Sequence, residues 1–241
     1  MKAAVIRFPG SNCDQDCVLA LNELGLPTDY VWHKETSVAG YDLVVLPGGF
    51  SYGDYLRCGA IARYSPIMQA VKEYAASGKL LIGICNGFQI LCEAGLLPGA
   101  LIRNRSLHFV CQHQYVRVED VANPFLHLAR TGAALRIPIA HGEGGYVADA
   151  ATLRNLDRQG RILLRYVDAG GAATDAANPN GSLENIAGMQ DLWAALNVTV
   201  TTLGRPDSVL GDLLATLDHR APKQPDINAS NHIATLFPAS P

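Results

Sequence analysis

Along the first hundred residues, short apolar runs alternate with stretches whose apolar positions recur every three or four residues. "AAVIRF" (3–8), "YDLVVLPGG" (41–49) and "KLLIGI" (79–84) are nearly continuous in hydrophobicity, as strands buried on both faces are, and "TDYVWH" (28–33) reads as a further strand. Residues 14–25 and 65–76 read as helices. "NGFQILCEAGLL" (86–97) follows the last run with its apolar residues on a 3.6 period. Strand and helix in alternation predict an α/β fold: an open, mostly parallel sheet with helices on both faces.

After residue 98 the pattern changes. "ALIRNRSLHFVCQHQYVRVED" and "ALRIPIAHGEGGYVAD" alternate apolar and polar residues as antiparallel strands do, and "RILLRYVD" (161–168) resembles one more. A small appended antiparallel sheet on the same domain is expected. Composition shifts only near residue 220, where "APKQPDINASN" turns polar and proline-containing, so the chain divides into a domain over 1–220 and a loosely ordered tail over 221–241.

At 241 residues there is ample chain for one large core. The net charge of −3 is spread along the sequence without a basic block, which argues against a nucleic-acid partner. "MKAAVIRFPGSNC" fits a first buried strand better than a signal peptide. With no stretch long enough to cross a bilayer, a cytoplasmic protein without a membrane partner is expected. Six cysteines, at 13, 17, 58, 85, 92 and 111, lie in a large apolar chain and read as free thiols. Cys13 and Cys17, four apart, make a poor metal pair, and no metal site is expected.

One cysteine stands apart. In Gly83-Ile84-Cys85-Asn86-Gly87 the thiol falls at the junction of a buried strand and a helix, the setting in which a nucleophile is held on a sharp turn while glycines keep other side chains away. At a helix N-terminus, unpaired N–H groups favour thiolate and stabilise a developing oxyanion, so Cys85 is the candidate nucleophile and the thiol expected to alkylate first. The bland alternative is a small buried residue, the role assigned to Cys92. "LPGGFSYGDYLRCGAIA" (46–62) follows the third strand at the same sheet edge. There Gly48 and Gly49 can present bare backbone N–H groups which, with that of Asn86, form a candidate oxyanion site. "PIAHGEGGY" offers His141 and Glu143 at a His-x-Glu spacing suited to a base and its orienting carboxylate.

"FPGSNCDQD", "PGGFSYGDYLRCGAIAR", "GICNGFQIL", "GLLPGALIRNRSLHFVC" and "NGSLENIAGM" together resemble the class I, triad-type glutamine amidotransferases, specifically the glutaminase subunit of phosphoribosylformylglycinamidine synthase, over residues 1 to about 189. The resemblance implies a flavodoxin-like fold and a glutaminase: Cys85 attacks the side-chain amide of glutamine, ammonia leaves, and water hydrolyses a glutamyl thioester. It further implies that Gly48, Gly49 and Asn86 line the oxyanion site and that Gln89 contacts the substrate glutamine. The ammonia passes to a large synthetase subunit that uses ATP and Mg to make formylglycinamidine ribonucleotide in purine biosynthesis, with a small third subunit bridging the two. This subunit needs no cofactor of its own. The resemblance also assigns His141 and Glu143 to a segment additional to the triad.

The same family completes its triad with a strand and a His-Pro-Glu element. Here the expected strand, "NVTVTTL" (197–203), is followed by "GRPDSVLG", no Glu occurs after Glu184, and the later histidines are His219 and His232. Three readings follow: a divergent tail that recruits His219, a frame change after Met189 that leaves a foreign tail, or a non-catalytic assembly partner. The frame change suits the abruptness of the break best.

Overall fold

The computed structural model describes residues 1–190 and the backbone of 195–198. Residues 191–194 and 199–241, with His219, His232, the tail and most of the expected strand 197–203, lie outside the described residues.

Four parallel strands form one half of the sheet: β1 (Ala3–Arg7), β2 (Thr28–Trp32), β3 (Leu43–Leu46) and β4 (Leu80–Ile84). Helix α1 (Asp14–Glu23) links β1 to β2, α2 (Ile67–Ala76) precedes β4, and α3 (Asn86–Glu93) follows it. Successive residues of β1 serve opposite faces. Ala3 and Val5 pack with Cys17 and Leu21 of α1, whereas Ala4 and Ile6 pack with Ile67, Met68 and Val71 of α2 and Phe88, Ile90 and Leu91 of α3. A strand covered on both sides needs apolar side chains at every position, which is why these runs do not alternate.

The second half is antiparallel and largely continuous with the first. β5 (Ala100–Ile102) pairs with β8 (Gly145–Val147) in a separate two-stranded ribbon, the small appended sheet expected from the sequence. β6 (Val110–Val118), β7 (Ala134–His141), β9 (Ile162–Val167) and β10 (Ile186–Gln190) instead extend the main sheet. The join is β11 (Ala195–Val198), parallel to β4 and antiparallel to β10, giving nine strands in the order β2-β1-β3-β4-β11-β10-β9-β6-β7.

Helix α4 (Ala150–Arg158) escaped the sequence reading, although Asp149 caps it by accepting from the N–H groups of Ala151 and Thr152 at 2.8 and 2.9 Å. Among the described residues, no helix is long and apolar enough to cross a membrane.

Candidate active site

β4 runs into α3 through Cys85 alone, which adopts φ +50°, ψ −102°. A left-handed φ in a non-glycine residue is strained, and the flanking glycines show what holds it there. A β-carbon on Gly87 would clash with the carbonyl oxygen of Leu46. One on Gly83 would lie 2.5 Å from Leu91 Cδ1 and 2.7 Å from the carbonyl oxygen of Gly87. The first turn of α3 is thus pressed onto the ends of β3 and β4 as only glycine allows, and the turn between them is forced into a sharp bend at Cys85.

The Pro47–Gly49 turn leaves β3 beside this bend. Gly49 has φ +124°, and a β-carbon there would sit 2.5 Å from Asn12 Oδ1, so both conformation and space demand glycine. Gly48 lies between the N-terminal turn and the elbow: a β-carbon on it would be 3.6 Å from both Cys13 Sγ and Cys85 Cβ. The Gly48 N–H faces the Cys17 sulfur, and the Asn86 N–H faces that of Cys85. Of the three backbone groups expected in an oxyanion site, the Asn86 amide is therefore placed at the nucleophile, whereas the Gly48 amide is turned to a neighbouring thiol.

The electrostatics correct one expectation. Cys85 is only 7 % exposed, and burial, reinforced by the nearby Cys13, pushes its thiol up to about 12 despite the opposing Asn86 amide. Desolvating a thiolate here outweighs a single helix-terminal N–H, so the resting group is a neutral thiol rather than the thiolate inferred from the pattern. Cys85 is enclosed in the resting protein, whereas Cys111 is exposed.

Around the elbow a polar chain fixes the first turn of α3. Asn86 Oδ1 accepts from the Ser51 N–H at 3.1 Å, and Asn86 Nδ2 donates to Gln89 Oε1 at 2.9 Å. Gln89 Nε2 donates to the carbonyl of Glu143 at 2.6 Å. Gln89, assigned to substrate by resemblance, is here a bridge from α3 to the β7–β8 loop, with both ends of its amide engaged. The Glu143 carboxylate accepts from the Cys58 N–H at 3.3 Å and lies 3.8 Å from Arg103 Nε. With half-buried Asp54, whose carboxyl is raised by burial and by Glu143, it makes the floor of the site anionic.

His141 and Glu143 are not a base and its orienting carboxylate. The His141 ring packs on Gly144, its Nε2 meets Asn180 Nδ2 at 3.0 Å, and its buried Nδ1 has no hydrogen-bond partner. Glu143, two residues on, turns the other way, to Cys58. Burial lowers the imidazole to about 4, so it is neutral under ordinary conditions. The ring belongs to a buried network in which Asn104 Nδ2 donates to the His141 carbonyl at 2.8 Å and Ser182 Oγ donates to the Gly144 carbonyl at 3.1 Å.

Sequence reading missed a second support. Tyr52, in the short helical turn Ser51–Asp54, holds φ +55° while its hydroxyl meets His33 Nδ1 at 2.8 Å and Ser65 Oγ at 2.9 Å. His33 thereby anchors the loop that reaches Asn86 through Ser51. The signal was weak: a histidine at a strand end and a tyrosine 19 residues on carry no spacing rule. β11 completes the surroundings, since Val198 pairs with Ile84, the residue before the nucleophile.

A family model for the CobB/CobQ-like glutamine amidotransferase domain matches residues 1–192. The chain is 60% identical over 190 residues to phosphoribosylformylglycinamidine synthase subunit PurQ of Moorella thermoacetica, covering 78% of this chain and 80% of that one. It is 49% identical over 225 residues to the same-named subunit of Bradyrhizobium diazoefficiens, covering 91% and 94%, an alignment long enough to pass residue 192. Among solved structures, PurLQS from Thermotoga maritima superposes with a TM-score of 0.77 at 37% identity, covering 90% of this chain and 96% of that one. Matched over most of its length by these proteins, and carrying the strained cysteine between two sterically required glycines, the chain belongs to the PurQ family of glutamine amidotransferase subunits.

Proposed function

We propose that this chain is the glutaminase subunit of a phosphoribosylformylglycinamidine synthase, releasing ammonia from glutamine for a synthetase partner in purine biosynthesis. The observation that carries the reading is Cys85 at φ +50° with the Asn86 N–H facing its sulfur, in a chain 60% identical to a PurQ subunit. Cys85 adds to the amide carbon of glutamine, and the Asn86 amide receives the oxyanion, joined by the bare backbone at Gly49 and, once its N–H turns from Cys17, at Gly48. Ammonia leaves, and water cleaves the glutamyl thioester. Gln89 reaches substrate by exchanging its bond to the Glu143 carbonyl. The anionic floor of Asp54 and Glu143 suits the α-ammonium of the amino acid. The subunit carries no cofactor in this reading; ATP and Mg act in the large synthetase subunit, and a small bridging subunit completes a cytoplasmic complex.

Because the resting thiol is neutral, turnover requires a base that substrate or partner brings into play. The full chain is mixed with the synthetase subunit, ATP, the nucleotide substrate and glutamine, and glutamate is measured. Glutamate formation that Cys85→Ala abolishes supports the reading, and no glutamate above the Cys85→Ala background overturns it.

A second reading has its own observation. β11 pairs with Ile84, the residue before the nucleophile, yet residues 199–218 contain neither His nor Glu, so the subunit would dock as an assembly module with slow or absent chemistry. Labelling of Cys85 by a diazoketone glutamine analogue without glutamate production favours that module. The Bradyrhizobium alignment, running past residue 192, weighs against a wholly foreign tail.

A further inference from the structure

Three sulfurs surround one glycine. The Gly48 N–H faces Cys17, and the space beside its α-carbon is bounded by Cys13 and Cys85: a β-carbon there would lie 3.5 Å from Cys13 Cβ, 3.6 Å from Cys13 Sγ and 3.6 Å from Cys85 Cβ. The β-carbons of Cys13 and Cys85 are therefore within about 7 Å of each other, with no side chain from residue 48 between them, and a disulfide needs them at about 4 Å. The remaining thiols are engaged elsewhere. Cys92 packs with α2 and α3, Cys58 faces the Asp54 and Glu143 carboxylates, and Cys111 is exposed on β6.

Cys13 and Cys17 differ in their freedom to move. Cys17 is buried inside α1 against the sheet. Cys13 precedes that helix at φ −98°, ψ 11°, outside helical geometry, with its side chain partly exposed and no cap bond holding it. Closing the remaining gap requires rotation of the Cys13 side chain and a shift of the 9–13 turn, which Phe50 and Tyr52 hold through the Gly10 and Pro9 carbonyls, but no unwinding of α1.

We propose that Cys85 is a peroxide-modification site for which Cys13 is the resolving thiol. This rests on Cys85 being reachable by the amide of glutamine, since a hydroperoxide is the smaller molecule. The Cys85 thiol gives up its proton as it attacks one peroxide oxygen; the O–O bond breaks, the sulfur is oxidised to sulfenic acid, and the second oxygen leaves as hydroxide, which takes that proton to become water. The Cys13 thiol then attacks the Cys85 sulfur, the S–O bond breaks, hydroxide leaves and takes the Cys13 proton as water, and a Cys13–Cys85 disulfide remains. Two thiols and one hydrogen peroxide thus give one disulfide and two waters. The bond silences the nucleophile reversibly and spares it the irreversible sulfinic and sulfonic steps.

The full chain is treated with hydrogen peroxide, its remaining thiols are capped with N-ethylmaleimide, and its digest is examined by mass spectrometry with fragmentation to separate Cys13 from Cys17. Expected is a Cys13–Cys85 cross-link lacking two hydrogens, released by dithiothreitol and retained in Cys17→Ala. In Cys13→Ser the cross-link is lost and Cys85 gains oxygens that dithiothreitol does not remove. An unmodified Cys85, a Cys85–Cys17 link, or a sulfinylated Cys85 beside a capped Cys13 in the unsubstituted protein overturns the proposal. If Cys13→Ser fails to fold by circular dichroism, the unsubstituted protein alone decides. The readout is a mass, so a chain that proves inactive as a glutaminase still answers the question.

Discussion

The β4–α3 elbow and the β7–β8 loop meet at Gln89 but are held by different forces. The elbow is backbone pressed on backbone: Gly87 against the Leu46 carbonyl, Gly83 against α3, and one strained residue between them. The loop is held by side chains, with Asn104, Asn180 and Ser182 binding its carbonyls and ring and His141 buried neutral at its base. Steric fit is insensitive to solution conditions and intolerant of added atoms. A polar network tolerates shape change better but depends on every partner keeping its protonation state.

The comparison breaks most sharply at the sulfur. Cys85→Ala should lower glutaminase activity of the assembled complex by about 10⁴-fold or more without altering the circular dichroism spectrum. Gly87→Ala adds one methyl where the Leu46 oxygen sits and should cost more than about 3 kcal/mol in a urea titration. If it costs less than 1 kcal/mol (~, on the scale of surface substitutions) the elbow is looser than described.

His141 provides the matching test in the loop. Its folded value of about 4 lies below its ordinary 6.5, so between these limits the unfolded chain binds more protons and stability rises with pH. The contribution, on the order of 3 kcal/mol, is present above pH ~6.5 and lost as pH falls through about 4. Urea midpoints measured across that window should show the slope, and His141→Asn should flatten it. Smallest is the link itself: Gln89→Met removes the bridge between the two regions and leaves the Glu143 carbonyl without it, a loss of about 2 kcal/mol by the same titration.

How far the sequence foretold these regions follows the same division. Continuous apolar runs announced β1, β3 and β4, and Gly-Ile-Cys-Asn-Gly announced the elbow, because close packing leaves glycine and apolar residues at fixed neighbouring positions. The charge state of Cys85 did not follow, since the balance of burial against one amide depends on what closes over the sulfur. His141 with Glu143 failed as a pair because β7 ends at His141: beyond it the strand alternation that would keep residues 141 and 143 on one face no longer holds, and the loop turns Glu143 to Cys58. Gln89 facing Glu143 and His33 facing Tyr52 join residues 54 and 19 positions apart, which no local period records. β10 went unread because "IAGMQ" is short and holds a glycine. The continuous antiparallel half went unread because strand order is not written in any one strand.

β11 has a consequence for how the molecule is made. It is the only strand, among the described residues, that joins the parallel strands ending at β4 to the antiparallel strands beginning at β10. A growing polypeptide must therefore present two half-sheets with open edges until residues 195–198 have emerged, and it is then that the two halves knit together. Until that moment both edges invite pairing with other nascent chains, which makes this late insertion the step at which a chaperone would matter most.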